Sequence, residues 1–596
     1  MGDLIHIKID GLDVAVEPGT TILQAARKLN IHIPTLCYHE DLCVAGNCRV
    51  CIVDLKGSKN LVASCAMPAS NGMEIFTNNL KVRTARKHII SLLLSEHNAS
   101  CTLCYKNGKC EIQHLASEYI IGSDVFIDLV PDKQYTIDQY SPSIIKDDSK
   151  CVRCQRCVRT CEELQHVSAL GVAYKGHKMK ISTFYENSMF DVVCTNCGQC
   201  VNRCPTGALI EKNYIDMVWE AIYNPDVHVV VQTAPAVRVS LGEELGFEPG
   251  KRVTGKLVTA LRRLGFDSVL DTDFTADLTI MEEGHELLQR LRASLLDHDE
   301  HVKLPMTTSC SPGWIKFIEH TFPEFLEYVS TCKSPQQMFG ALAKTYYAEK
   351  KGLDPAKVVS VSVMPCTAKK FEANRPEMRA SGFQDVDYVL TTRELAIMIR
   401  QAGIDFMALP DSLYDSIMGQ STGAGVIFGA TGGVMEAALR TVYEVVTGNE
   451  VPFNQLNIIP VRGTEGLREA SITITGTKPE WRFLEDVELK MAVAHGLVNA
   501  KRIMQELKEG KSKYHFIEIM ACPGGCLGGG GQPIPTSAEI RRKRSEAIYA
   551  EDAGMPLRKS HDNPEIKQIY REFLIEPLGR KSHELLHTHY KARTRY

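Results

Sequence analysis

The chain has 596 residues, 23% charged and 44% hydrophobic, with 43 Gly, 26 Pro and a net charge of −4. That length holds roughly three to five domains and at least one large core, and the composition excludes a disordered or collagen-like chain. The charge gives no support to a phosphate-backbone binder, and no stretch approaches the ~18 apolar residues of a membrane span.

Residues 1–10 alternate like a strand and lack the basic-then-apolar pattern of a signal peptide. A soluble, cytoplasmic protein is expected. Its 21 cysteines stand apart from this plain profile, because they are clustered and odd in number. A reducing compartment disfavours disulfides, and cysteines at short fixed spacing there point to metal. Four blocks follow in chain order.

Residues 1–78 read as short strands and turns around Cys37, Cys43, Cys48, Cys51 and Cys65. Cys48, Cys51 and Cys65 need a fourth partner. Cys43 gives a plant-like C-x4-C-x2-C spacing, towards which the residues alone lean, and Cys37 gives a longer first loop. A structural zinc is the plain alternative. Residues 79–140 open on a helical run and carry His97, Cys101, Cys104 and Cys110. Histidine in place of one thiolate would change a cluster's charge and potential; a histidine near cysteines is otherwise a surface or core residue.

Residues 141–213 hold the strongest signal, an internal repeat. Cys151, Cys154, Cys157 and Cys161 have the C-x2-C-x2-C-x3-C spacing, and so do Cys194, Cys197, Cys200 and Cys204, which Pro205 follows. Soft thiolates at this spacing hold cubane iron–sulfur clusters, and the fourth of each run serves the other cluster. One 4Fe–4S cluster is therefore expected on Cys151, Cys154, Cys157 and Cys204, and a second on Cys194, Cys197, Cys200 and Cys161. Glu162 stands where the first run would usually have proline.

Residues 214–596 alternate β-type runs (228–232, 358–364, 515–521) with helical runs such as 334–351, which predicts an α/β domain or a pair of them. Three Pro- and Gly-flanked segments stand out: Thr308–Trp314 around Cys310, Met364–Glu372 around Cys366, and Met520–Cys526 with Cys522. Dispersed ligands converging from loops suit a buried, shaped metal centre; buried apolar thiols are the plain alternative.

Other features read as ordinary structure. His583–His587 matches H-E-x-x-H, but too little chain follows to complete a zinc cleft. Arg541–Arg544 reads as a solvated basic face, and Gly423–Gly433 as close packing rather than a phosphate loop. Glu283, Glu286 and Arg290 share a helical face, by default a solvated ion-pairing stripe.

Taken together, the module order, the three loops and the segments 334–347 and 427–440 resemble the multi-cluster iron-only (FeFe) hydrogenases over almost the whole chain. The resemblance implies a multidomain α+β and α/β protein. Its parts would be a ferredoxin-like β-grasp 2Fe–2S domain (1–78), a His/Cys3 4Fe–4S module (79–140), a two-cubane ferredoxin domain (141–213), and an α/β H-cluster domain ending in a small-subunit-like segment (214–596). It also implies Cys37, with Cys48, Cys51 and Cys65, as 2Fe–2S ligands, and His97 as a ligand beside Cys101, Cys104 and Cys110.

In that family the H-cluster is a cubane joined through one cysteine to a two-iron unit with CO, cyanide and a dithiolate amine. By motif match Cys366, Cys522 and Cys526 are ligands, with Cys526 the bridge. Lys369, Met364, Met520 and Gln336 would surround the two-iron unit, and Cys310, Glu283, Ser330, Glu286 and Arg290 would carry protons. One departure concerns the first loop, where the family often has two adjacent cysteines and this chain has Cys310-Ser311. Cys310, Ser311 or Cys332 is then the remaining cubane ligand.

The Cys-Ser loop resembles catalytic subunits of multimeric, NADH-linked, electron-bifurcating hydrogenases. Implied partners are flavin-containing NADH-oxidising iron–sulfur subunits, ferredoxin, and maturation proteins for the two-iron unit, in a hetero-oligomer without nucleic acid or membrane. Alternatives are a stand-alone ferredoxin-dependent hydrogenase, an electron-transfer subunit like the iron–sulfur large subunit of complex I, and a sensor or cluster-assembly relative without turnover.

Overall fold

The computed structural model describes residues 4–122, 135–463 and 465–595. The N-terminal module is a mixed five-stranded sheet, with Ile5–Ile9 between Leu12–Val16 and Glu74–Phe76, and Ile52–Leu55 and Val62–Ala63 beyond. One helix, Ile22–Lys28, lies against it. Thr21 and Gln24 close its first turn by a reciprocal capping box, and Ile22, Leu23, Ala25 and Ala26 fill the small core. The helix Leu80–Ser95 then leads into the second cysteine block. The repeat region folds around a three-stranded antiparallel sheet, Leu209–Glu211, Ile144–Asp147 and Ile137–Asp138.

The large block is a pair of α/β units. One sheet orders Ser268–Asp271, His228–Thr233, Val358–Met364 and Tyr388–Thr391, all parallel. Its valine-rich strands are buried on both faces, as parallel strands require. The other orders Met306–Thr307, Phe516–Met520, Glu488–His495 and Leu467–Thr473, with only the last strand antiparallel. The helix Thr272–Leu295 is buried along most of its length. Loops that follow the carboxyl ends of both sheets face one another, the usual place for a site in open α/β folds.

The glycine-rich segment packs closely, as expected. A Cβ on Gly425 would sit 2.6 Å from the Asp273 carbonyl oxygen. The basic run 541–544 is only half a solvated face. Arg542 and Lys543 pair outward with Glu546 and Glu539. Arg544 is fully buried, donating to both oxygens of Glu243 and to the carbonyl of Leu527 at 2.7 Å. Arg541 reaches Asp41 of the first module at 3.3 Å, and Arg203 of the repeat region meets the same carboxylate at 2.7 Å. Helical periodicity alone does not show which arginines turn inward. Among the described residues no helix is long and apolar enough to cross a membrane.

Candidate functional site

In the first module Cys37 lies within hydrogen-bonding reach of Cys48 and Cys65, and Cys51 of Cys65. Cys43 is elsewhere: it is exposed, and its thiol donates to Glu163 at 2.6 Å. The plant-like spacing therefore points to the wrong cysteine. Arg159 sets the arrangement, holding the carbonyls of both Cys37 and Cys43 and so fixing the loop between them.

His97 follows the helix Leu80–Ser95, and its Nδ1 is buried without a hydrogen-bond partner. Burial, with the charge of Lys150, lowers its pKa to about 4. A neutral imidazole with a free ring nitrogen is the form that binds metal. Burial raises the Cys110 thiol, and Cys104 and Cys101 lie nearby.

The repeat forms two separate cavities. One, of about 410 Å³, is lined by Cys151, Cys154, Cys157 and Cys204; the other, of about 350 Å³, by Cys194, Cys197, Cys200 and Cys161. Each holds three cysteines of one run and the last of the other, the exchange that the spacing predicts. Both are almost wholly apolar, which suits clusters shielded from water.

A third cavity, of about 810 Å³, lies between the two α/β units. Cys310, Ser311, Cys366, Cys522 and Cys526 line it, together with Met364, Met520, Gln336 and Lys369. Three of these loops directly follow the strands ending at Thr307, Met364 and Met520. Lys369 Nζ donates to Glu372 at 2.9 Å and to the Cys310 carbonyl at 3.1 Å. Gln336 accepts from Ser362 at 2.8 Å, which fixes its amide. Burial raises the Cys366 and Cys522 thiols, and raises Cys526 to about 12, so all are neutral until a metal takes the proton's place. Four thiols in an apolar pocket fit an iron–sulfur group, since thiolates are its preferred ligands.

Cys197 lines this cavity as well as the second repeat cavity. Gln199 and Asn202 donate to the carbonyls of Gly528 and Gly529 at 2.8 and 3.0 Å, so the two sites share a wall.

A row of polar groups leads away from Cys310. Burial, with the Glu283 carboxylate adding, pushes the Cys310 thiol up. Glu283 is 2% exposed, and neither of its oxygens has a close hydrogen-bond partner; the Ser330 hydroxyl and the Ser309 N–H face it at longer range. Burial, reinforced by Glu286, raises its pKa to about 8. Ser330 donates to Glu286 at 2.8 Å, and Arg290 grips the same carboxylate at 2.7 Å before reaching the carbonyl of the exposed Glu327 at 3.0 Å. The expected solvated stripe is thus a buried row that runs outward.

Cys332 is absent from the catalytic cavity. It is fully buried behind the loop, with its thiol 3.8 Å from Glu286, which corrects the idea that it returns to ligate the cubane. The H-E-x-x-H residues form no cleft: Glu584 is exposed beside Arg580, and His587 turns inward to Glu282 at 3.2 Å. Sequence reasoning missed Lys316, which is buried, lacks a hydrogen-bond partner and lies close enough to feel Cys194. Its only sequence signal is a lysine inside an apolar helical run.

A string of cluster-type cysteine modules ending at a thiol-lined cavity defines an iron–sulfur redox enzyme, and comparison with known families makes the class specific. The chain belongs to the iron-only hydrogenases: the C-terminal domain of that family's large subunit matches residues 227–530, and its small subunit matches 538–593. A 2Fe–2S cluster binding domain matches 2–80, the NADH-ubiquinone oxidoreductase-G iron–sulfur binding region 86–123, and the ferredoxin-like domain of NADH-quinone oxidoreductase subunit 3 141–210. NADP-reducing hydrogenase subunit HndD of Solidesulfovibrio fructosivorans is 50% identical, covering 99% of this chain and 100% of the relative. Iron hydrogenase 1 of Clostridium pasteurianum is 40% identical, covering 98% and 99%. Among solved structures, a variant of the FeFe hydrogenase HydA1 from Chlamydomonas reinhardtii is 45% identical with a TM-score of 0.58, covering 64% of this chain and 99% of that one.

Proposed function

We propose that this hydrogenase reversibly reduces protons to hydrogen as the cytoplasmic catalytic subunit of an NADH- and ferredoxin-linked, electron-bifurcating complex. The observation that carries the chemistry is the shared cavity, where the thiols meet a wall of cluster-type cysteines on one side and a row of proton-bearing groups on the other. The subunit assignment is supported by the full-length similarity to a relative named as a subunit. A second reading, a stand-alone ferredoxin-dependent enzyme, is compatible with the full-length similarity to Iron hydrogenase 1, a name that carries no subunit designation.

The H-cluster, once bound, would supply an open iron position at which electrons meet a proton. Cys366, Cys522 and Cys526 would hold it; Cys310 and Ser311 are the two first-loop residues that face it. Ser311 Oγ already accepts the Ala521 N–H at 3.1 Å, a bond that sets the first loop against the third. Lys369 would turn its ammonium from Glu372 to a cyanide, while Met364, Met520 and Gln336 exclude water. Cys310 would hand protons to and from Glu283, which passes them through the Ser330 hydroxyl to Glu286, while Arg290 holds that last carboxylate at the outer end of the row.

Cys37, Cys48, Cys51 and Cys65 would hold a 2Fe–2S cluster, His97, Cys101, Cys104 and Cys110 a cubane, and the two repeat sites one cubane each, groups that would supply one-electron carriers. Flavin-containing NADH-oxidising subunits and ferredoxin would be the outer donors.

Infrared spectroscopy and hydrogen evolution before and after insertion of a synthetic two-iron complex test the catalytic reading. Bands of iron-bound CO and cyanide should appear together with activity. Intact cubanes that accept the complex yet give no hydrogen would overturn it. Co-purification of a flavin-containing subunit from the native host separates the bifurcating from the stand-alone reading.

A further inference from the structure

The relay carboxylate Glu286 also faces two side chains to which the proposed mechanism gives no role. Residues 331–333 run antiparallel to 586–588. Thr588 N–H donates to the Thr331 carbonyl and Lys333 N–H to the Leu586 carbonyl, both at 2.7 Å, which sets Cys332 directly opposite His587. Opposed residues carry their side chains about 5 Å apart, and Glu286 enters the same space from the long helix. Cys332 Sγ lies 3.8 Å from Glu286 Oε2 and 4.0 Å from His587 Nδ1. One donor atom from each of the three falls within 4.8 Å of the other two, and all three residues are buried.

The histidine is also oriented. Its Nε2 faces Glu282 at 3.2 Å, and Glu282 already accepts from the Tyr570 hydroxyl at 2.6 Å and the Leu578 N–H at 2.8 Å. That filled carboxylate assigns the ring proton to Nε2 and leaves the Nδ1 lone pair directed inward, where the Thr331 hydroxyl now donates to it at 2.8 Å. A carboxylate behind a histidine in this way is the usual outer support of a metal site.

We propose that Glu286, Cys332 and His587 form a binding site for a zinc-class divalent cation, distinct from the iron–sulfur sites. A thiolate, an imidazole and a carboxylate are a tetrahedral zinc donor set whose members stand about 3.5 Å apart when bound, close to the spacings seen here. On binding, the Cys332 thiol releases its proton to solvent, the Ser330 and Thr331 hydroxyls give up Glu286 and His587, and water takes the fourth position. The Cys332 thiolate and the Glu286 and Glu282 carboxylates, set against the Arg290 guanidinium that stays on Glu286, balance the metal's charge. The exposed His583, whose ring lies 4.5 Å from that of His587, offers a way in. Since Glu286 is a member of the relay in the reading above, the occupied site acts as a brake on proton exchange.

The test uses the full chain with its iron clusters assembled and its iron counted, equilibrated with zinc chloride and desalted. We expect a single retained zinc with no loss of iron. X-ray absorption at the zinc edge should show one sulfur at about 2.3 Å among nitrogen and oxygen neighbours at about 2.0–2.1 Å. Cys332→Ser and His587→Ala should each lower the retained zinc at least tenfold. No retained zinc, zinc without a sulfur neighbour, uptake matched by iron loss, or equal retention in both variants overturns the site. Hydrogen evolution measured in parallel isolates the relay: zinc retained as expected at unchanged turnover upholds the site and removes Glu286 from the proton path.

Discussion

Thr367 donates its hydroxyl to the carbonyl of Asn196 at 2.7 Å, joining the loop of Cys366 to the loop of Cys197 one residue from each cysteine. The bond is buried, and losing it leaves an unmet acceptor at a cost of about 1–3 kcal/mol. Gly198 sits against the same threonine at φ 69°, and a Cβ there would collide with Thr367 Oγ1 and approach Gly530 Cα to 2.9 Å. Gly198→Ala should therefore open this wall. We expect a lower melting temperature and slower hydrogen evolution from a donor that enters at the N-terminal modules, in a protein that still carries its full iron. Thr367→Val should do the same more mildly.

The raised pKa of Glu283 gives pH dependences of definite sign. It is about 8 in the folded chain against an ordinary value near 4.5, so the folded state binds the proton more tightly. The stability linked to that proton is full below the ordinary value and is lost as pH rises from there through about 8. Glu283→Gln should flatten the stability profile across that window in urea titrations. The same substitution should cut hydrogen evolution by roughly 10²-fold or more while leaving the infrared bands in place. In the wild type, evolution should fall as pH rises through about 8; a rate flat across that range would exclude Glu283 as the proton carrier.

Cys37 and Cys43 are distinguished by one experiment. Cys37→Ala should abolish the 2Fe–2S electron paramagnetic signal of the reduced protein. Cys43→Ala should leave it unchanged, because that thiol is bonded to Glu163 at the surface. Loss of the signal in both variants would mean that Cys43 is needed for cluster assembly after all.

Lys316 supplies a testable electrostatic effect. Its pKa, lowered by burial to about 8, keeps it largely cationic at neutral pH beside Cys194. A cation next to a cluster favours the reduced, more negative form. Lys316→Met should shift the potential of the cubane on Cys194, Cys197, Cys200 and Cys161 downward, as read by redox titration of its signal, with the iron content unchanged.

Local spacing was legible where ligands lie close in the chain. The interleaved sets ending in Cys161 and Cys204 reappear as two cavities, and the valine-rich runs at 228–232 and 358–364 appear as buried parallel strands. The convergence of Cys310, Cys366 and Cys522 on one buried centre is legible from their Pro- and Gly-flanked loops, but that the centre lies between two facing sheets is not. Spacing alone leans to Cys43, but the fold sets Cys37 beside Cys48 and Cys65 and turns Cys43 out to Glu163, a residue 120 positions away. A helical stripe likewise does not tell whether Glu283 and Glu286 meet water or a second layer, and only the packing around Thr272–Leu295 buries them.

Arg544 bears on how the protein is made. The carbonyl it holds belongs to Leu527, next to Cys526, while its other partner, Glu243, lies about three hundred residues earlier in the chain. Translation proceeds from the amino end at about 5–20 residues per second, so the last cysteine loop emerges before the arginine that braces it. The helix Ala538–Gly554 must then form and bring Asp552 onto Arg440 before that corner is rigid. Until both contacts are made, the loop carrying Cys522 and Cys526 lacks the brace that ties it to Glu243 on the opposite unit.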